Sequence, residues 1–122
     1  MYFRFENLEV WKLAKDFASQ IYTITKKFPD DERFGMTSQV RRAAVSISMN
    51  IAEGSDRKSD VEFVRFIRFS IGSVEEVVTV LYIARDLEYI SQKDFMEVYD
   101  SANQLVSKLN ALVKSLQSTR ER

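Results

Sequence analysis

An all-α chain folded as an up-down-up-down antiparallel four-helix bundle is what this sequence predicts. Three observations predict it. The 122 residues include only 3 Gly and 1 Pro, so little breaks long helices. Apolar residues recur at three- and four-residue spacing over four stretches. The polar breaks between those stretches are short, about 2–9 residues, which makes consecutive helices antiparallel. No strand, internal repeat or low-complexity tract is visible, and the length suits one domain over residues 1–122.

The first helix is expected over about 8–27, with Asn7 as its N-cap and Val10, Ala14, Phe17, Ile21, Ile24 and Phe28 facing inward. Pro29 stops it, and Asp30, Asp31 and Glu32 make a polar turn. The second helix, about 38–53, is capped by Thr37 or Ser38 and turns Val40, Ala44, Ile47 and Ile51 inward. Gly54 is read as its stop, because glycine accepts the left-handed conformation that closes many helices. Ser59 with Glu62 three residues later is a capping box that opens the third helix, about 60–88. Ser91 with Asp94 opens the fourth, about 92–117, where Phe95, Tyr99, Ala102, Val106, Leu109, Val113 and Leu116 make a coiled-coil-like seam. The tail Ser118–Arg122 is expected to fray.

Two helices carry more apolar surface than a monomeric bundle needs. On the third, Phe63, Ile67, Ile71, Val74, Val78 and Leu81 form one stripe, and Phe66, Phe69, Val77, Val80 and Leu87 flank it. That arc spans roughly 200°, against the ~100° of an ordinary surface helix. Trp11, Leu13, Phe17, Ala18 and Tyr22 widen the first helix similarly. The excess predicts a partner surface, with Trp11, Tyr22, Phe66, Phe69 and Val80 as candidate oligomer contacts. The competing reading is that neighbouring helices of the same chain bury both sides.

Composition excludes several kinds of chemistry. The chain has no Cys and no His, which removes disulfides, thiol nucleophiles, and the commonest general base and metal ligand. No P-loop, dinucleotide glycine motif or nucleophile elbow occurs. The acid pairs Asp30/Asp31 and Glu75/Glu76 lack the histidines that complete di-metal helical sites. No catalytic residue, metal ligand or cofactor is therefore named, and the chain is expected not to be an enzyme. Arg4, Glu6 and Glu9 interrupt the N-terminus as a signal peptide, and no run reaches the ~18 apolar residues of a membrane span. The expected location is the cytoplasm.

Lys+Arg and Asp+Glu both number 18, so any pull on nucleic acid must come from a local patch. Arg41, Arg42, Arg57, Lys58, Arg65 and Arg68 are the candidates. Guanidinium forks match phosphate oxygens, and together the six could form one basic strip. Glu53, Asp56, Asp60 and Glu62 lie among them. The alternative is a mixed surface in which the arginines make ion pairs, with Glu53, Glu75 and Glu76 as partners. Asn50 and Glu53 read as residues that fix the turn after the second helix, with Arg57 as the partner of Glu53. Tyr2, Phe3, Arg4 and Phe5 form an aromatic arm that either stacks bases or docks on a protein core.

The segments NLEVWKLA, IYTITKKFPDDERFGMTSQVRRAAVSISMNIAEGSDR, EFVRFIRFSIGSVEE and LYIARDLEYI resemble a family first noticed in intervening sequences of bacterial 23S rRNA genes. Its pattern runs aromatic-Pro-x-x-E-x-[FY]-G-[LM], Q-x-R-R-A-A-x-S-I, N-I-A-E-G and G-S-x-x-E. The chain departs from it at Ser48, where a proline is common, at Asp56, where a second glycine is usual, and at Glu88, within what is commonly L-G-Y. The resemblance implies a four-helix protomer that assembles into a homopentameric ring. Relatives that serve diversity-generating retroelements, the accessory variability determinant proteins, are similar to basic barrels that engage nucleic acid and a reverse transcriptase. It therefore implies RNA or a reverse transcriptase-like protein as partner. A protein-only scaffold, in which the arginines hold subunits together, is the rival expectation.

Overall fold

The computed structural model describes residues 3–121, and the side chains of residues 3–118. Four helices carry the fold: α1 (Glu9–Thr25), α2 (Met36–Ser55), α3 (Asp60–Asp86) and α4 (Gln92–Glu121). Short 3-10 turns at Arg4–Asn7 and Asp30–Glu32 precede α1 and α2. Among the described residues there is no strand.

Each helix packs on its sequence neighbours, and α4 closes the square against α1. Side-chain contacts give the directions. Ser46 meets Ser73 at 2.6 Å, and the Ser70 hydroxyl donates to the Ile47 carbonyl at 2.8 Å, so α2 and α3 run antiparallel. Lys27 at the end of α1 reaches Asp94 at the start of α4 at 2.6 Å, while Glu9 and Lys108 pair at 3.4 Å. The expected up-down-up-down bundle is the observed one.

The inward residues expected on α1 and α2 are all buried. On α4 the seam is rotated. Val98 and Leu105 join Phe95, Ala102, Leu109 and Val113 in the core, whereas Tyr99 is exposed and Val106 is half-buried. A four-helix square draws on a wider stripe than a two-stranded seam. Helical backbone continues through Glu121, so the tail does not leave the helix at Ser118.

Three helix ends differ from expectation. Asn7 lies in a 3-10 turn, and extended Leu8 is the N-cap of α1. Thr37 is already inside α2, one turn from buried Val40, and Gly35 precedes the helix. The cap of α2 comes from Glu32, whose carboxylate accepts from the Met36 N–H at 3.2 Å. An anion at that end also answers the helix dipole.

Gly54 is not a left-handed stop either: no described glycine has positive φ, and Gly54 falls within α2. Its reason is room. A Cβ there would lie 2.6 Å from the Phe66 Cβ and 3.1 Å from the Phe63 ring. The left-handed position is Glu88, with φ 63°. There Tyr89 N–H bonds the Ala84 carbonyl at 2.8 Å, the closure that normally selects glycine before it. The Ser59 and Ser91 side chains cap α3 and α4, accepting from Glu62 N–H at 3.2 Å and Asp94 N–H at 3.1 Å, but the Glu62 carboxylate turns to Arg65 rather than back to Ser59, so the expected capping box is half made.

Candidate functional site

The bundle spreads the six basic candidates along its length. Arg41 and Arg42 lie in the second turn of α2, beside the end of α1. Arg57 and Lys58 follow α2 at its other end, and Arg65 and Arg68 are on the first turns of α3. At 1.5 Å rise per residue, Arg41 and Arg42 stand about 20 Å from Arg57 along the axis. The length of α2 carries Arg41 and Arg42 away from Arg57 and Lys58, and the antiparallel register of α3 brings Arg68 to an intermediate level.

Arg41 is committed to α1. Its Nε donates to Thr25 Oγ1 at 2.8 Å, a terminal nitrogen donates to the Tyr22 carbonyl at 3.3 Å, and the guanidinium lies 4.6 Å from the Tyr22 ring. These contacts satisfy carbonyl and hydroxyl groups at a helix C-terminus, where a cation is favoured. The expected acidic partners do not meet it. Arg42 is exposed and, among the described residues, has no hydrogen-bond or ion-pair partner.

At the opposite end, Arg57 donates to Glu53 at 2.8 Å and stacks 4.7 Å from the Phe66 ring. Arg65 meets Glu62 at 3.4 Å and stacks 5.2 Å from Phe69, and the two phenylalanines are edge-to-face at 5.6 Å. Lys58 and Arg68 have no partner among the described residues. Arg57, Lys58, Arg65 and Arg68 thus sit among Glu53, Asp56, Asp60 and Glu62, a locally neutral surface. The Glu53 pairing is the expected one. Asn50 instead donates one turn back, to the Ser46 carbonyl at 2.9 Å.

The aromatic arm docks on its own protomer. Arg4 donates to the Ser55 carbonyl at 2.7 Å and lies 5.8 Å from the Phe63 ring. Phe5 packs on Trp11 with ring centroids 4.8 Å apart. Tyr2, the remaining aromatic of that arm, lies outside the described residues.

The oligomer candidates sort differently from their sequence reading. Val80 is 6% exposed and belongs to the core. Trp11 is half-buried against Phe5, whereas Tyr22 stays 43% exposed with the Arg41 guanidinium stacked on its ring, so part of the wide arc of α1 remains at the surface. Phe66 is half-buried beside Gly54 and Arg57, while Phe69 is exposed. Phe34, 88% exposed, and Ile83 were not singled out by periodicity, because Phe34 lies in a turn and Ile83 on the far side of α3.

Glu32 is the residue that sequence reasoning passed over. Besides capping α2, its carboxylate accepts from the Tyr89 hydroxyl at 3.1 Å, tying the α1–α2 turn to the end of α3. That bond and the nearby carboxylates of Glu32 and Asp31 push the Tyr89 phenol above its usual range. The family pattern E-x-[FY]-G carried this signal. Among the described residues no group of three or more Asp or Glu is arranged to hold a metal ion, and no helix is long and apolar enough to cross a membrane.

Comparison with known proteins agrees with this architecture. The family model described as 23S rRNA-intervening sequence protein matches residues 6–111. A crystal structure of a protein with unknown function from the S23 ribosomal protein family of Bacteroides thetaiotaomicron VPI-5482 superposes with a TM-score of 0.79 at 22% identity. The match covers 86% of this chain and 98% of that one, and at this identity it speaks for the fold. No curated protein matches the sequence.

Proposed function

The chain belongs to the 23S rRNA-intervening sequence protein family, and from that premise we propose that it is a non-enzymatic, homo-oligomeric scaffold, a pentamer by the resemblance. The observation that carries this reading is the engagement of the arginines. Arg41, Arg57 and Arg65 each spend their donors or their stacking face on the same protomer. The charges around Arg57 and Arg65 balance, so the field that concentrates polyanions is weak there. The lack of Cys and His in the sequence supports the non-enzymatic part.

Native mass spectrometry on protein purified without nuclease tests the reading. A clean multiple of the 14.2 kDa chain is expected. A monomer overturns self-association, and a multiple carrying heterogeneous nucleic acid moves the assignment to RNA.

Contact with RNA or a reverse transcriptase-like protein is the second reading, favoured by Lys58 and Arg68, whose charges have no partner among the described residues. On that reading, Lys58→Ala combined with Arg68→Ala lowers the salt dependence of RNA affinity by about one to two units of slope. An unchanged slope removes it.

A further inference from the structure

A groove of about 400 Å³ runs between α3 and α4. Its floor is apolar: Val74 and Ala102 are buried, and Val78 and Val106 are half-buried. Tyr99 stands at one end, exposed, with the exposed Tyr82 ring edge-to-face against it at 6.4 Å. From Val74 to Tyr82 the groove and its tyrosine end cover about 12 Å of the α3 axis. Glu75 and Asn103 stand at the rim, both exposed, and neither side chain has a partner among the described residues.

The charge around this groove has one sign. Residues 74–84 of α3 include Glu75 and Glu76, residues 96–107 of α4 include Glu97 and Asp100, and neither stretch contains Lys or Arg. Glu75 lines the groove, Glu76 and Asp100 flank it, and Glu97 lies on the α1 side of α4. All four carboxylates are exposed and without a partner among the described residues. In a chain whose charges balance overall, that is a local excess of negative charge. The cations that bound it are distant or engaged. Arg68 and Lys93 stand about 9 Å beyond the groove along α3 and α4. Lys108 pairs with Glu9 at 3.4 Å. Arg85 lies 5.0 Å from the Tyr82 ring and 4.7 Å from the Phe95 ring. That contact shows which chemistry the aromatic end accepts, a guanidinium over the face of a ring.

Charge selects the occupant. Nucleic acid and anionic lipid are repelled here. A second copy brings carboxylates along with its cations, since Arg57, Lys58, Arg65 and Arg68 sit among Glu53, Asp56, Asp60 and Glu62. Backbone chemistry selects the form. Both walls are helices whose backbone groups are already paired, so an extended peptide finds no main-chain partner. A helix satisfies its own backbone and lays a ridge of side chains into such a groove. We propose that the α3–α4 groove docks a basic amphipathic helix of another protein. Its apolar ridge lies along Val74, Val78, Ala102 and Val106, and its Arg or Lys side chains reach Glu75, Asp100 and the Tyr82–Tyr99 pair. The inference goes beyond self-association and requires of any assembly only that this groove stay open.

The test is fluorescence anisotropy on the full chain with a labelled synthetic peptide of about 15 residues, long enough to form a helix when bound. Leucines one turn apart make its apolar ridge, and arginines flank them. A second peptide has the same composition with the leucines scattered around the helix. Micromolar affinity is expected for the first peptide, and binding about tenfold weaker or less for the second. Glu75→Gln combined with Asp100→Asn should weaken the first peptide by about tenfold or more and flatten its salt dependence. Asn103→Arg, an exposed change that leaves the core alone, should weaken it similarly by repulsion. Asp30→Asn combined with Asp31→Asn removes equal charge at the α1–α2 turn and should change the affinity by less than about twofold. The proposal is overturned if the ridged peptide does not bind, if the scattered peptide binds as well, or if the distant pair of changes matches the groove pair. It is also overturned if Asn103→Arg dissociates an assembled chain in sedimentation velocity, since a second copy then occupies the groove. That last result leaves self-association itself standing.

Discussion

The two ends of the bundle are held by different physics. At the α2–α3 turn, closeness does the work: Gly54 leaves no space between α2 and the base of Phe66, and Arg4 closes over the Ser55 carbonyl. At the other end, polar clamps join the segments in addition to apolar packing such as Phe28 on Tyr89. Glu32 ties α2 to Tyr89, Lys27 ties α1 to Asp94, and Arg41 ties α2 to Thr25. Steric fit is indifferent to pH and has no tolerance for an added methyl. Hydrogen-bonded clamps tolerate volume change but lose strength when a partner is removed or protonated.

The largest expected effect breaks the packed end. Gly54→Ala gains helix propensity of about 1 kcal/mol, yet forces α2 off a neighbour attached directly to the α3 backbone. A net loss of about 2 kcal/mol is expected, a Tm drop of ~8 °C, with no pH dependence. A rise in Tm would show that α2 and α3 can separate freely, and would remove the contrast between the ends.

Next comes the polar end. Glu32→Ala leaves the Met36 N–H and the Tyr89 hydroxyl without their shared acceptor. Its loss is expected near 1 kcal/mol in denaturant unfolding, in the range of other lost N-caps. Glu32→Gln keeps an acceptor and should recover part of it. If both variants match the unaltered protein, the clamp is ornamental.

A gain of similar or smaller size is expected from Glu88→Gly. Glu88 holds φ 63°, a conformation costly for residues with a Cβ and free of that cost for glycine. The substitution should stabilise by up to about 1 kcal/mol. Glu88→Ala, which keeps the Cβ, should not. Equal gains from both would trace the effect to the charge near a helix C-terminus rather than to the backbone.

Gly54 and Glu88 also mark how far the sequence could be read. The helices, their order and the cores of α1 and α2 were legible, because Val10, Ile21, Val40 and Ile51 repeat with the helical period whatever the tertiary contacts. Gly54 looked like a stop, since glycine near a helix end is ambiguous between backbone freedom and packing room, and only the position of Phe66 decides. Glu88 hid a left-handed residue, because nothing local requires it except the Schellman-type closure by Tyr89. The arginines were legible as a group of charges but not in their partners. Distance along a helix is countable, whereas whether Arg41 turns to Thr25 or to solvent depends on where α1 ends. The candidate interface was legible only as surplus on α3. Which part of the surplus stays outside depends on whether a neighbouring helix covers it, as happens for Val80 and not for Phe69.

The smallest effect sharpens the comparison through pH. Asp94 lies below the usual carboxylate value of 3.8, first because the Lys27 ammonium bonds it at 2.6 Å, with the Lys27 and Lys93 charges and the Ser91 hydroxyl acting the same way against partial burial. A folded-state pKa below the unfolded one means the unfolded chain binds the proton more readily. The contribution is therefore complete above the ordinary carboxylate range and fades as pH falls below about 4, through the folded value. Lys27 is largely exposed, so salt screens the pair and the effect is modest. Asp94→Asn should lower Tm slightly at pH 7, less in high salt, and the difference from the unaltered protein should close as the solution is acidified. Gly54→Ala measured over the same range should keep a constant deficit. If the two deficits move together with pH, the ends are coupled through the helices rather than held separately, and the division into a packed end and a clamped end fails.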